Sequence, residues 1–114
     1  MKFISIWKPD SACATTEPSQ EQMTQMGALV GELMGTGVLV DTGGVMSGGA
    51  SMRVRKNGEK VTVTDGPFAE SKEVVGGFAI LNVKDRVEAL EVTRRFVDCA
   101  GDGVSELHEL AEMP

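Results

Sequence analysis

Two helix-start motifs set the plan of this chain. Ser19-Gln20-Glu21-Gln22 has the form of a capping box, in which the Ser side chain and the Gln side chain each bond the other residue's backbone N–H. Asp85 and Glu88 form a similar cap before a second apolar-periodic segment, which runs through about Cys99. Because segments of strand character lie on both sides of each predicted helix, we expect two β-α-β units along the chain.

The strands are predicted from alternating or apolar runs between these helices. The runs are KFISIWK (2–8), VLVDT (38–42), MRVRK (52–56), KVTVT (60–64), VVGGFAILNV (74–83) and VSELHELAEM (104–113). Asn57-Gly58, between the third and fourth runs, predicts a tight hairpin with a type I′ turn. The last run fits a strand or a helix by its pattern, and its position after a helix and a glycine turn favours a strand.

Helical spacing predicts which side chains face the core. The predicted inner stripes are Met23, Met26, Val30, Leu33 and Met34 in the first helix and Leu90, Thr93, Phe96, Val97 and Ala100 in the second. Gly27 and Gly31 each cost the first helix about 1 kcal/mol relative to Ala. Since they share a helix face, we expect that face to approach a sheet or a bound molecule closely.

The order of elements predicts a single α+β domain over residues 1–114. Its plan is a ferredoxin-like antiparallel sheet with two helices on one face and an added β-hairpin. The other face of the sheet has no helix to cover it, and we expect Phe3 and Trp7 to lie there. Because a contiguous apolar face of this kind marks an interface, the sequence predicts a homodimer that packs face to face.

Composition excludes several classes of partner and site. The net charge of −6 opposes binding to a phosphate backbone, and the short basic run at 53–56 fits a solvated strand. No run approaches the roughly 18 apolar residues of a membrane helix, and the start of the chain lacks the apolar core of a signal peptide. Cys13 and Cys99 form neither a disulfide framework nor a metal pair, so we expect free thiols in the cytoplasm. With one His and no phosphate-binding or dinucleotide motif, we expect no metal and no cofactor.

A resemblance to a known family covers nearly the whole chain. "VTDGPFAESKEVVGGF", residues 63–78, closely resembles the signature of the DGPF proteins in the YCII-related family, and the opening strand, the second helix and "ELHEL" match as well. The resemblance implies a dimeric α+β barrel, and it implies no established reaction. Some members are encoded beside or fused to alternative sigma factors, and a few relatives are dehalogenases or isomerases of small ring compounds. Some carry an active-site His–Asp pair, whereas the His of this chain, His108, lies near the C-terminus.

Asp65 is the first candidate for a functional side chain. Its carboxylate fits an Asx-type turn, in which it accepts backbone N–H groups of the following residues. It also fits a general acid or base beside a cleft, with His108 as a possible partner. Asp65 and His108 are therefore the candidate catalytic residues, although a lone His on a terminal strand is more often a structural residue.

The candidate ligand-binding residues surround that motif. Phe68 is expected to anchor the loop. In an enzyme Trp7 and Phe68 would form the walls of a cleft, whereas a position in the interface is the more common role for an aromatic such as Trp7. The hydroxyl and ammonium of Ser71 and Lys72, next to Glu70, fit the binding of a small anion, or a solvated charged loop.

Two functions are compatible with these features. The first is a cofactor-independent acid–base enzyme that acts on a small polar or cyclic molecule in the cleft of a dimeric barrel. The second is a non-catalytic ligand-binding or regulatory module linked to transcription machinery. An enzyme predicts an enclosed pocket of about 300 Å³ or more into which Asp65 or His108 projects.

Overall fold

The computed structural model describes residues 1–10, 18–46, 50–66 and 75–111. Within these residues the chain forms six strands and two helices. In chain order they are β1 (Lys2–Pro9), α1 (Gln20–Gly35), β2 (Leu39–Gly44), β3 (Met52–Asn57), β4 (Lys60–Asp65), β5 (Gly77–Asn82), α2 (Arg86–Ala100) and β6 (Gly103–Glu109). The last run is thus a strand, as its position predicts. Neither helix has the length and apolar character needed to cross a bilayer.

The sheet topology confirms the ferredoxin-like α+β plan with an added hairpin. Four strands form the main sheet in the order β2-β5-β1-β6, and every neighbouring pair is antiparallel. Strands β3 and β4 form a separate two-stranded sheet between β2 and β5 in the sequence. The hairpin is therefore an insertion into an otherwise complete four-stranded fold.

Both helices begin where the capping motifs predict. The Ser19 hydroxyl accepts from the Gln22 N–H at 3.1 Å, and the Ser19 N–H donates to the Gln22 side chain at 2.9 Å, which completes a capping box. Asp85 accepts from the Glu88 N–H at 2.9 Å. These local hydrogen bonds satisfy backbone donors that have no partner inside the helix, so the signal is visible in the sequence.

The register of β1 corrects the predicted orientation of the sheet. Phe3 lies opposite Leu81 and is 9% exposed, in one core with Leu29 and Leu33 of α1. The prediction that Phe3 lies on the uncovered face is therefore wrong, and Trp7, four residues along β1, shares its side of the sheet. Alternation shows which side chains share a face and leaves open which face meets the helices.

The open face of the main sheet carries the other half of β1 and β5. Paired positions place Ile4 opposite Ile80 and Ile6 opposite Phe78, and all four are half-buried. We call this surface, defined by Ile4, Ile6, Phe78 and Ile80, the open sheet face. It replaces Phe3 and Trp7 as the apolar surface that the helices leave uncovered.

The helices are also rotated relative to the predicted stripes. Leu29 and Leu33 are the buried residues of α1, and Ala89, Val92 and Thr93 those of α2. Three residues predicted to face inward, Met23, Met34 and Leu90, are exposed. A Cβ added at Gly27 or Gly31 meets no atom within 4 Å, so the predicted close approach of that helix face to the sheet is wrong.

The hairpin turn differs from its prediction by one residue. Asn57 pairs with Lys60, so Gly58 and Glu59 are the two central residues of the loop. Gly58 has φ +64°, and no described residue other than Gly has a positive φ. A type I′ turn needs positive φ at both central positions, and a type II′ turn needs it at the first alone. The turn at Gly58 and Glu59 therefore fits type II′, and the predicted type I′ turn is wrong.

Candidate functional site

A cavity of about 480 Å³ lies between the main sheet and the two helices. Each neighbouring element contributes to its walls, which are largely apolar. The apolar side chains include Trp7 from β1, Met26 and Val30 from α1, Ala79 from β5, and Phe96 and Val97 from α2. We call this space the central cavity, and its size is that of a pocket for a small molecule.

Trp7 is positioned in the central cavity by two glycines. A Cβ at Gly76 would lie 3.0 Å from Trp7 Cδ1, and a Cβ at Gly103 would lie 2.6 Å from Trp7 Cη2. No side chain fits at either position without displacing the indole or the backbone around it. The glycines that precede β5 and begin β6 therefore make the room in which the indole of Trp7 lies.

The polar groups of the central cavity are hydroxyls. Ser5 and Ser105 lie on its wall and their hydroxyl oxygens hydrogen bond to each other. Thr42, also in the wall, donates its hydroxyl to the Phe78 carbonyl at 2.8 Å. The described lining residues include no Asp, Glu, His, Lys, Arg or Cys. The arrangement suits hydrogen bonds to hydroxyl or carbonyl groups of a neutral, flat molecule.

Trp7 is among the ligand-binding residues predicted from the sequence, whereas the hydroxyls are not. Ser5 stands on the same side of β1 as Phe3 and Trp7, where a polar residue interrupts an otherwise apolar row. That interruption is the available signal. Its partner Ser105 is 100 residues away in the sequence, and only the pairing of β1 with β6 brings the two hydroxyls together.

Asp65 lies outside the central cavity as the structure describes it. It is the last residue of β4, exposed and opposite Met52 in the hairpin. The loop that follows, with Phe68, Glu70, Ser71 and Lys72, falls in 67–74, outside the described residues. Their ligand-binding roles, and the Asx-turn interpretation of Asp65, therefore stay predictions.

His108 lies on β6, opposite Ile4, with its side chain 61% exposed. Its Nε2 is 3.9 Å from the Glu106 carboxylate, which is 3.0 Å from Lys8 Nζ. Lys8 holds the pKa of the Glu106 carboxyl below its ordinary value, and His108 adds a smaller effect in the same direction. His108 thus has a carboxylate neighbour two residues away on the same face of β6, a pair that strand alternation indicates. It is not among the described residues that line the central cavity.

Gly103→Ala is expected to disturb both stability and the environment of Trp7. The new Cβ would lie 2.6 Å from the Lys8 carbonyl and from the indole, so the backbone or Trp7 must move. We expect a loss of more than about 1 kcal/mol in the free energy of unfolding and a shift in tryptophan emission. Gly31→Ala is the control, because its Cβ meets open space in a helix, and it should stabilise by up to about 1 kcal/mol. Equal effects from the two variants would contradict the packing role of Gly103.

Comparisons with known proteins identify the family and one related fold. The model of the YCII-related domain matches residues 1–113. No curated protein matches the sequence. A solved structure, 5-chloro-2-hydroxyhydroquinone dehydrochlorinase from Burkholderia phenoliruptrix AC1100 in complex with 2,5-dihydroxybenzoquinone, is similar with a TM-score of 0.56 and 12% identity. The similarity covers 99% of this chain and 96% of that chain, and at this identity it shows a shared fold.

Proposed function

Because the chain belongs to the YCII-related domain family, we propose that it binds a small hydroxylated ring compound in the central cavity. The observation that carries the proposal is a cavity of about 480 Å³ with an indole and a phenyl ring in its walls and hydroxyls as its polar groups. Small-molecule pockets in proteins share this pattern of apolar walls with few placed polar groups.

The walls favour a flat ring over an extended or charged ligand. Trp7 and Phe96 offer aromatic surface for stacking or edge contacts. Ser5, Thr42 and Ser105 offer hydroxyls that both donate and accept. A fully charged ligand would find no counter-charge among the described lining residues, which makes its desolvation costly. The molecule in complex with the similar dehydrochlorinase, a dihydroxybenzoquinone, is also a flat hydroxylated ring and supports that shape of ligand.

The single tryptophan makes the proposal directly testable. Trp7 is the one Trp of a chain that has no Tyr, so its emission reports on the central cavity alone. We expect saturable quenching on titration with hydroquinone, a flat dihydroxylated ring that is uncharged at neutral pH, and one binding site by calorimetry, which is free of optical interference. Ser105→Ala should weaken binding about fivefold, as the loss of one hydrogen bond of about 1 kcal/mol predicts.

Thr24→Ala is the matched control for Ser105→Ala. Thr24 is exposed on α1 and its hydroxyl bonds to the Gln20 carbonyl, away from the central cavity. It should leave binding unchanged. Quenching that never saturates, calorimetry without a binding signal, or equal weakening by the two variants would contradict the proposed site.

An acid–base enzyme acting on such a ring is the second candidate. The fold shared with a dehydrochlorinase over nearly the whole chain favours an enzyme. The described residues that line the central cavity include no acid or base, so we rank ligand binding above catalysis. Asp65 and His108 remain its candidate catalytic residues. Turnover would be observed as a time-dependent change in the absorbance of the ring compound that Asp65→Asn or His108→Asn abolishes.

A regulatory module would use the same binding step. The ligand would then change the affinity of the chain for a protein of the transcription machinery, and no chemistry would follow. The family resemblance motivates this alternative, and ring binding without any change in the ring compound would favour it.

A further inference from the structure

The β3–β4 hairpin carries an apolar face that no described residue covers. Cross-strand pairing places Val54 opposite Val63 and Lys56 opposite Val61, with Met52 at the end of the same face. Met52, Val54, Val61 and Val63 are 59–66% exposed. We call this surface the hairpin face. Because an isolated two-stranded hairpin is at best marginally stable in water, its apolar side calls for a partner surface.

A second apolar surface lies at the far edge of the main sheet. A groove of about 700 Å³ runs between α2 and β6, lined in part by Val87, Leu90, Val104 and Leu107. Val87, Leu90 and Val104 are 63%, 46% and 54% exposed. We call it the edge groove. It explains why Leu90, predicted to face the core, is apolar and yet exposed in the single chain.

We propose that the hairpin face of one copy of the chain packs into the edge groove of a second copy. The hairpin is inserted between β2 and β5, whereas the groove adjoins β6 at the opposite edge of the sheet. Three strand spacings, roughly 14 Å, separate the two edges. The radius of gyration, 16.1 Å against about 13 Å for a compact chain of this length, fits a hairpin that projects away from its own body.

Charge favours the same pairing. Residues 52–65 contain four basic and two acidic residues, a net charge of +2 in a chain whose net charge is −6. Residues 85–111, which form α2 and β6, contain three basic and seven acidic residues, a net charge of −4. A positive arm and a negative region attract each other in two copies of one chain, which favours their approach. The hairpin face itself carries one base and one acid, Lys56 and Asp65, and the edge groove carries Arg94 and Glu91, so the two surfaces are also compatible in charge.

The area required for a stable dimer points to the same contact. One face of a sheet of four strands, about 4.8 Å apart and six residues long, has an area of roughly 400 Å². One face of a two-stranded hairpin has about half of that area. A reciprocal exchange, in which each copy gives a hairpin and receives one, therefore adds roughly 400 Å² per partner. Together with the open sheet face this reaches about 800 Å² per partner, the size of a standard interface.

Charge substitutions on the two faces of one strand test the contact. Val61→Asp/Val63→Asp puts two carboxylates on the hairpin face, and Thr62→Asp/Thr64→Asp puts the same charge on the opposite face of β4. Analytical ultracentrifugation should show the dimer dissociation constant raised at least tenfold by the first pair and within about twofold of the unchanged chain for the second. Far-UV circular dichroism checks that both variants remain folded.

Cross-linking gives a second readout that does not depend on weakening the dimer. In a Cys13→Ser/Cys99→Ala background, tagged Val63→Cys is mixed with untagged Val87→Cys, an exposed groove position on α2, and oxidised after subunit exchange. We expect a mixed disulfide dimer in at least fivefold greater yield than from Thr64→Cys with Val87→Cys. A one-chain mass for the unchanged protein, a dimer unaffected by Val61→Asp/Val63→Asp, or equal cross-linking from both faces would overturn the proposal.

Discussion

Leu81→Ala is expected to lower the free energy of unfolding by about 3 kcal/mol or more. Leu81 is completely buried, in the centre of the main sheet opposite Phe3 of β1 and Leu39 of β2. Truncating a fully packed Leu removes apolar surface and leaves a cavity, and such changes cost about 2–5 kcal/mol. Urea denaturation followed by circular dichroism measures the change.

Met34→Ala is the control for this prediction. Helical spacing predicts Met34 as a core residue, whereas the structure leaves its side chain 46% exposed at the end of α1. We expect its effect to stay within about 0.5 kcal/mol, as is usual for surface changes. A loss as large as that of Leu81→Ala would restore the predicted stripe and contradict the observed rotation of α1.

The parts of the fold that the sequence predicts correctly depend on short-range chemistry. Ser19 with Gln22 and Asp85 with Glu88 satisfy backbone donors within one turn, so each helix start is visible in a few letters. Strand alternation and the glycine-containing turn likewise act over neighbouring residues. Given two helices and their flanking strands, short right-handed connections leave few topologies, and the ferredoxin-like order follows.

The errors arise where packing decides between options that are locally equal. Phe3 and Ile4 are both apolar and adjacent in β1, and only the contact with Leu29 and Leu33 makes the Phe3 side the inner one. The helices rotate so that small Ala89 packs inward, 1% exposed, while Leu90 faces the edge groove. Helical periodicity alone cannot rank these faces, because apolar residues occur on both.

The candidate site shows the same division between local and long-range information. Trp7 can be named from the sequence as a wall of a cleft, since a large aromatic at a strand end suits that role. The hydroxyl pair of Ser5 and Ser105 cannot, because it depends on the register between the first and last strands. The sequence favours a bulge at Gly76 and a turn at Gly103. It does not show that both glycines adjoin the indole of Trp7, because that contact depends on the tertiary fold.

The homodimer predicted from the sequence is expected to bury the open sheet face, and Ile4→Glu is expected to dissociate it. Ile4 pairs with Ile80 on one side and with His108 on the other, at the centre of that face. A carboxylate there would be desolvated against apolar side chains of the partner, at a cost of several kcal/mol. Light scattering should give twice the 12.1 kDa chain mass for the unchanged protein and one chain for the variant.

Gln25→Glu separates desolvation from the added charge in that experiment. It changes the net charge by the same amount at an exposed position of α1. The helices pack on the side of the sheet opposite to the open sheet face, so Gln25 lies far from that face. If general repulsion between chains of net charge −6 weakened the dimer, both variants would dissociate. A one-chain mass before any substitution would rule out the dimer altogether. A dimer that survives Ile4→Glu and is lost with Val61→Asp/Val63→Asp would place the assembly on the hairpin face and the edge groove, because the sheet face would then remain free.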